Sequence, residues 1–185
     1  ATAAVTRVNR FFGTTWTAEN CRYPVRKTQE NGDDRTRPAN IIITCTDNTR
    51  SRLELWRFLK KYRETSVNNE RAVYYWMDFG TAQTTGQVFI GTVRNKIRQP
   101  ASKEFMPVPG MNVITEEVNY STIEEKDSGP SCSLAEALER QDLYINSILA
   151  QVGCDILWRM FKEGRTLYRG AYINLDTLRV NPIPV

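Results

Sequence analysis

The sequence predicts an α/β fold, and three observations carry that prediction. Asn40-Ile-Ile-Ile-Thr-Cys-Thr46 is a continuous, largely β-branched run without alternation, the pattern of a strand buried on both faces in a parallel sheet with helices on each side. A short polar turn follows, and Thr49–Arg63 then carries Leu53, Leu55, Trp56, Phe58, Leu59 and Tyr62 as the apolar face of an amphipathic helix. Two further runs, Ala72-Val-Tyr-Tyr-Trp-Met77 and Gln87-Val-Phe-Ile-Gly91, read as neighbouring strands. Strand, polar turn and helix in this order form the core of a βαβ unit.

The remaining elements follow from local signals. Val5, Val8, Phe11 and Phe12 have helical spacing and Gly13 stops the helix; Phe11 and Phe12 are expected in the core. Thr14–Val25 reads as a short strand and Lys27–Pro38 as a polar loop with Asn31-Gly32 at its centre. Asp78 is expected to end the second strand. Arg98–Pro130 has five Glu, four Pro and little periodicity, so it is expected to be a crossover or a lid. Ser133-Leu-Ala-Glu136 is a capping box. The helix it opens runs through Leu134, Leu138, Ile145, Ile148, Leu149, Val152, Ile156, Leu157, Met160 and Phe161, and Gly164 ends it. Leu167–Asn174 and Leu178–Ile183 flank Leu175-Asp176-Thr177 as a terminal hairpin. The expected layout within one domain is 1–97 as the nucleotide-fold-like part, 98–130 as crossover or lid, and 131–185 as long helix plus hairpin.

Composition narrows the chemistry. A chain of 185 residues fits one domain better than two. It contains no histidine, which excludes Ser-His-Asp hydrolysis, Cys-His nucleophile pairs and His-ligated metals. The net charge of +4 is unevenly placed: residues 1–63 hold 13 Lys/Arg against six Asp/Glu. Such a region suits an anion such as phosphate, or simply a solvated basic face. Cys21, Cys45, Cys132 and Cys154 form no CxxC pair, which argues for a reduced cytoplasmic protein without a zinc knuckle. Cys45 is expected to be buried and inert, and Cys154 to lie near the core. No apolar run approaches the ~20 residues that span a bilayer, so no membrane partner is expected. The sequence starts at Ala1 without an initiator Met, which points to a processed chain or a fragment.

The strongest candidate site is Thr44-Cys45-Thr46-Asp47-Asn48-Thr49-Arg50-Ser51-Arg52. In open α/β sheets ligands bind beyond the carboxyl ends of strands. Asp47 lies at such an end: it can hold Mg2+ against nucleotide phosphates, or cap the helix, and the two roles are compatible. Arg50 or Arg52 could add positive charge. Cys132 precedes a helix N-terminus, where the dipole favours a thiolate; it also reads as a small residue beside a cap. Asp78-Phe-Gly80 lacks the rest of the kinase motif set, so that reading fails. Aromatic and Arg residues interleave near the start, but no nucleic-acid-binding motif accompanies them, and nucleic acid is not an expected partner.

Ile41-Ile-Ile-Thr-Cys-Thr-Asp-Asn48 with Arg52 four residues on resembles the Cys-Thr-Asp-Asn-x-x-x-Arg segment of the ThiF/MoeB/HesA superfamily, the ubiquitin-activating-enzyme-like adenylyltransferases. Arg7-Val-Asn-Arg-Phe-Phe-Gly13, Tyr75-Trp-Met-Asp78, Thr85-Gly-Gln-Val-Phe-Ile-Gly91, Pro130-Ser-Cys-Ser-Leu-Ala-Glu-Ala-Leu-Glu-Arg-Gln-Asp-Leu143 and Tyr168-Arg-Gly-Ala-Tyr-Ile-Asn-Leu175 look closer still to the bacterial PRTRC-system ThiF proteins. The resemblance implies the C-terminal part of a Rossmann-like ThiF-type nucleotide-binding domain, a central sheet with flanking helices and a C-terminal β-hairpin. It implies ATP and Mg2+ as cofactors, and adenylation of the C-terminus of a ubiquitin-like or sulfur-carrier protein, commonly by a homodimer. Asp47 would lie at the Mg-ATP site, with Asn48 and Arg52 at further motif positions and Cys132 as a candidate thiol by position. The family's GxGxxG turn, acidic ribose-binding residue, Asn-x-x-Arg-Gln segment and phosphate-contacting Lys have no counterpart in these 185 residues. The chain alone is therefore expected not to adenylate, and to be the later part of a longer protein. Two other classes stay open: a non-catalytic binding or dimerisation module, and a nucleic-acid-associated accessory protein.

Overall fold

A five-stranded mixed sheet organises the unit Pro38–Val185, and a smaller unit spans Ala1–Arg37. The computed structural model describes residues 1–21, 23, 39–46, 48–63, 72–120 and 142–185. In the smaller unit, α1 (Thr2–Phe12) ends at Gly13, whose φ of 66° suits a residue without Cβ. The Asn9 side chain then ties down the segment that follows: Oδ1 accepts from Trp16 N and Thr14 Oγ1, and Nδ2 donates to Trp16 O. The expected strand over Thr14–Val25 is absent among its described residues. Phe11 and Phe12 are 82% and 69% exposed, so they are surface residues, contrary to their apolar character. The polar loop 27–38 lies outside the described residues.

In the larger unit, β1 (Ile41–Thr44), β2 (Tyr75–Thr81), β3 (Thr85–Thr92), β4 (Tyr168–Asn174) and β5 (Arg179–Pro184) follow one another across the sheet. Only β1 and β2 are parallel; the other neighbours are antiparallel. The parallel pair needs the crossover that α2 (Thr49–Leu59) and a 3-10 turn (Lys60–Tyr62) begin. The expected terminal hairpin is present as β4 and β5. Pro182 and Pro184 deprive β5 of donors for another strand, a common device at a sheet edge.

The sheet buries its two faces against different helices. On one face α2 and α3 (Ile114–Glu117) cover Ile42, Trp76 and Phe89, with Leu55, Trp56 and Leu59 from α2. The Trp56 and Trp76 rings stack at 6.0 Å. On the other face α4 (Ile145–Glu163) sets Ile145, Leu149 and Ile156 against Met77, Val88, Ile90, Ala171 and Ile173. Each such fully buried side chain contributes roughly 1.5–3 kcal/mol.

Several expectations are corrected by this packing. β1 is not buried on both faces: among the described residues it pairs only with β2, and Ile43 is 52% exposed because α4 covers the middle of the sheet. The long helix is not continuous from Leu134: residues 143 and 144 form a turn and α4 starts at Ile145. Leu134, Leu138 and the Ser133–Glu136 box lie outside the described residues. Phe161 and Cys154 sit on the solvent side of α4. Residues 98–120 are no simple lid. Thr92 N donates to Met111 O and Ile97 N to Pro109 O, and Val113, Ile114 and Tyr120 join the core. Arg169 fastens this stretch through Glu117 and Asn112 O, and Arg63 through Glu116. Asp78 is inside β2, not at its end.

The β3–β4 contact leaves no room for a side chain at Gly170, where a Cβ would overlap the Val88 carbonyl oxygen. Because that obstacle is backbone, Gly170→Ala is expected to cost about 1–3 kcal/mol, read as a lower urea midpoint with an unchanged slope. An unchanged midpoint would contradict the packing described.

Candidate functional site

The register of β1 and β2 places Thr44 beside Asp78 and Ile42 beside Trp76. Strand alternation turns all four toward α2. Asn48 caps that helix through its Oδ1, which accepts from Ser51 N at 2.8 Å. The cap sets the helix phase, and Arg52, one turn in, points at the sheet. Its Nε donates to Asp78 Oδ2 at 2.8 Å, and its Nη2 donates to Thr46 O at 2.7 Å and Phe79 O at 2.8 Å. Thr44 Oγ1 donates to Asp78 Oδ1 at 2.5 Å and accepts from Trp76 Nε1 at 2.8 Å. One guanidinium thus ties together the carboxyl ends of both parallel strands and the helix between them.

The pair is nearly dry, with side chains 7% and 1% exposed. Burial pushes the Asp78 carboxyl above its usual range, against the opposing pull of Arg52 and of the Thr44 hydrogen bond. Tyr120 lies with its ring 5.8 Å from the Arg52 guanidinium, and burial raises its hydroxyl pKa further from neutrality. Cys45 corrects its expectation: it is exposed, just past β1. Partial desolvation, then the Asp78 charge, nevertheless push its thiol above the usual cysteine range.

Above this bracket opens a cavity of about 620 Å3 at the carboxyl ends of β1 and β2. Thr46, Thr49, Arg52, Gln87, Tyr120, Tyr172, Asn174 and Asn181 supply polar lining, and Gly80 leaves room beside Arg52 and Gln87. Gln87 Nε2 donates to the Tyr120 hydroxyl at 3.4 Å. Buried Thr46 Oγ1 has no hydrogen-bond partner among the described residues. The volume falls in the range of small-molecule sites. Among the described residues its lining offers hydrogen bonds, aromatic faces and the Arg52 guanidinium, groups that bind and orient a polar ligand.

Of the predicted site residues, Arg52 lines this cavity, and Asn48 caps the helix that carries it. Asp47 lies outside the described residues, in sequence between cavity-lining Thr46 and the cap Asn48. Cys132 also lies outside them. Among the described residues no three His, Cys, Asp or Glu groups could hold a metal. Sequence reasoning missed Asp78 as a site residue, together with Tyr120, Gln87, Tyr172 and Asn181. One signal for Asp78 was legible: a carboxylate amid apolar strand residues must find a buried partner.

Set against family models and curated proteins, the chain matches none. Fold and site together define a mixed α/β protein with a polar cavity at the carboxyl ends of its parallel strands. No helix among the described residues is long and apolar enough to cross a membrane.

Removing one member of the bracket strands a buried charge. Arg52→Met is expected to cost about 3–5 kcal/mol, while Arg52→Met combined with Asp78→Leu recovers most of the loss, measured by urea unfolding. A single variant costing under ~1 kcal/mol would show that the pair is not the buried bracket described. Because its thiol stays protonated at neutral pH, Cys45 is expected to react with iodoacetamide more slowly than an unstructured cysteine peptide at pH 7.5, despite being exposed. Equal rates by mass spectrometry would refute the upward shift.

Proposed function

We propose that this chain forms the later part of a ThiF-like nucleotide-binding domain in a protein that adenylates the C-terminus of a ubiquitin-like or sulfur-carrier protein. The observation that carries the reading is the cavity at the carboxyl ends of parallel β1 and β2, bordered by Thr46 and by Thr49 at the start of α2. That is where open α/β sheets bind ligands, and a helix N-terminus favours phosphate.

The chemistry of the lining supports the same reading. Acyl-adenylate formation gains mainly from positioning and charge stabilisation, and a cavity whose described lining consists of hydrogen-bonding and aromatic side chains suits it. ATP fits by volume and by the hydrogen-bonding side chains present. Mg2+ when bound would neutralise phosphate charge, and it commonly rests on one or two carboxylates plus phosphate oxygens. Asp47 is the one acidic residue that the motif supplies for it. Arg52 works as a positioning residue here: its charge is spent on Asp78, and it fixes the Thr46 end of the turn that carries Asp47.

A Gly-rich phosphate turn is absent from these residues. The 185-residue chain is therefore expected to show no heat of Mg-ATP binding in calorimetry at micromolar protein. Supplied with an upstream Gly-rich segment, it is expected to catalyse ATP–pyrophosphate exchange. Asp47→Ala should lower that exchange at least a hundredfold with the fold intact by circular dichroism. Exchange that Asp47→Ala leaves untouched would reduce Asp47 to a role in the turn.

A further inference from the structure

At the end of the sheet opposite the cavity, the fold gathers cations from separate parts of the sequence. β3 runs from the cavity rim at Thr85 to Thr92, roughly 24 Å away at strand rise. Beyond Thr92 the chain carries Arg94, Lys96, Arg98 and Lys103 with no acidic residue between 94 and 103. The end of α2 and its 3-10 turn carry Arg57, Lys60, Lys61 and Arg63, again with no acidic residue between 57 and 63. A hydrogen bond from Arg63 Nε to Asn95 Oδ1 joins the two segments directly.

Helix-end electrostatics accounts for the cations at the end of α2, but not for the second set, which lies on irregular chain. Nor do ion pairs neutralise the array. Arg63 reaches Glu116, whereas Lys61, Lys96, Arg98 and Lys103 are exposed and have no acidic partner among the described residues. Aromatic rings hold several stems in place: Lys60 and Arg63 lie over Trp56, and Arg94 over Tyr74. The charges are therefore concentrated, exposed and partly preorganised.

We infer that this surface binds the phosphate backbone of a nucleic acid, without reading its sequence. Arginine forks and lysine ammoniums match phosphate oxygens, and a fixed array suits a polymer whose anions recur at fixed spacing. A fluid anionic bilayer demands no such fixed geometry. The bond that joins the two segments makes one binding face of stretches more than 30 residues apart in sequence. This site is independent of the nucleotide reading and lies at the other end of β3, so either can fail alone.

The test is fluorescence anisotropy of the 185-residue protein with labelled 20-mer DNA of random sequence, single-stranded and duplex, from 50 to 200 mM salt. Binding is expected at low salt and should weaken steeply as salt rises. Replacing Lys61, Lys96, Arg98 and Lys103 together by Gln should weaken binding at least tenfold and reduce the duplex salt slope by about 3.6. Arg179→Gln, exposed on β5 at the cavity end of the sheet, should leave the slope unchanged. No binding to either DNA at 50 mM salt overturns the inference, as does a fourfold variant with an unaltered slope and an intact circular dichroism spectrum. Binding to phosphatidylserine-containing vesicles without binding to DNA overturns it in favour of a membrane surface.

Discussion

The buried pair of Arg52 and Asp78 is the constraint on which the site depends. An unpaired charge in that position would be expensive, so sheet and helix must keep the two in register. The same guanidinium also takes up the carbonyls of Thr46 and Phe79. It thereby links the residue just past β1, the later half of β2 and the first turn of α2. The cavity is the space left above this bracket, and its walls are only as well placed as the bracket is.

Burial explains why the pair is specific rather than merely stabilising. A surface ion pair would add little, and a hydrophobic pair of similar volume could hold the layers equally well. Charge, however, has only one satisfied arrangement here. Thr44, Trp76 and two strand-end carbonyls complete it, so a slip of one residue between β1 and β2 would turn Thr44 away from Asp78. The polar bracket selects the register, and Trp56, Trp76, Leu55 and Leu59 around it supply the cohesion.

The molecule separates its surfaces by strand direction. The carboxyl ends of the parallel strands hold a concave site whose internal charge is compensated. Their opposite ends present cations after α2 and after β3, of which Lys61, Lys96, Arg98 and Lys103 have no acidic partner among the described residues. A rigid sheet between the two keeps them about a strand length apart, so a small ligand and an extended polyanion would not compete for the same groups.

Much of this was legible before folding. The strand–turn–helix of residues 40–63, the strands around Trp76 and Phe89, the helix stop at Gly164 and the terminal hairpin follow from local pattern, because apolar period and turn chemistry act over a few residues. The Asn48–Arg52 segment stood out for the same reason. What pattern could not supply was which faces become covered. Ile43, Phe11, Phe12 and Cys154 are apolar or weakly polar yet exposed, since burial depends on what packs opposite and not on the residue itself. The partner of Arg52 lies 26 residues away and that of Arg63 lies 53 away; Tyr120 and Asn181 reach the cavity from other elements still. The sequence by itself determined the elements and the turn that carries the motif. Only the tertiary structure decided the strand neighbours, the bracket and the cavity, because those rest on contacts between residues that no local spacing relates.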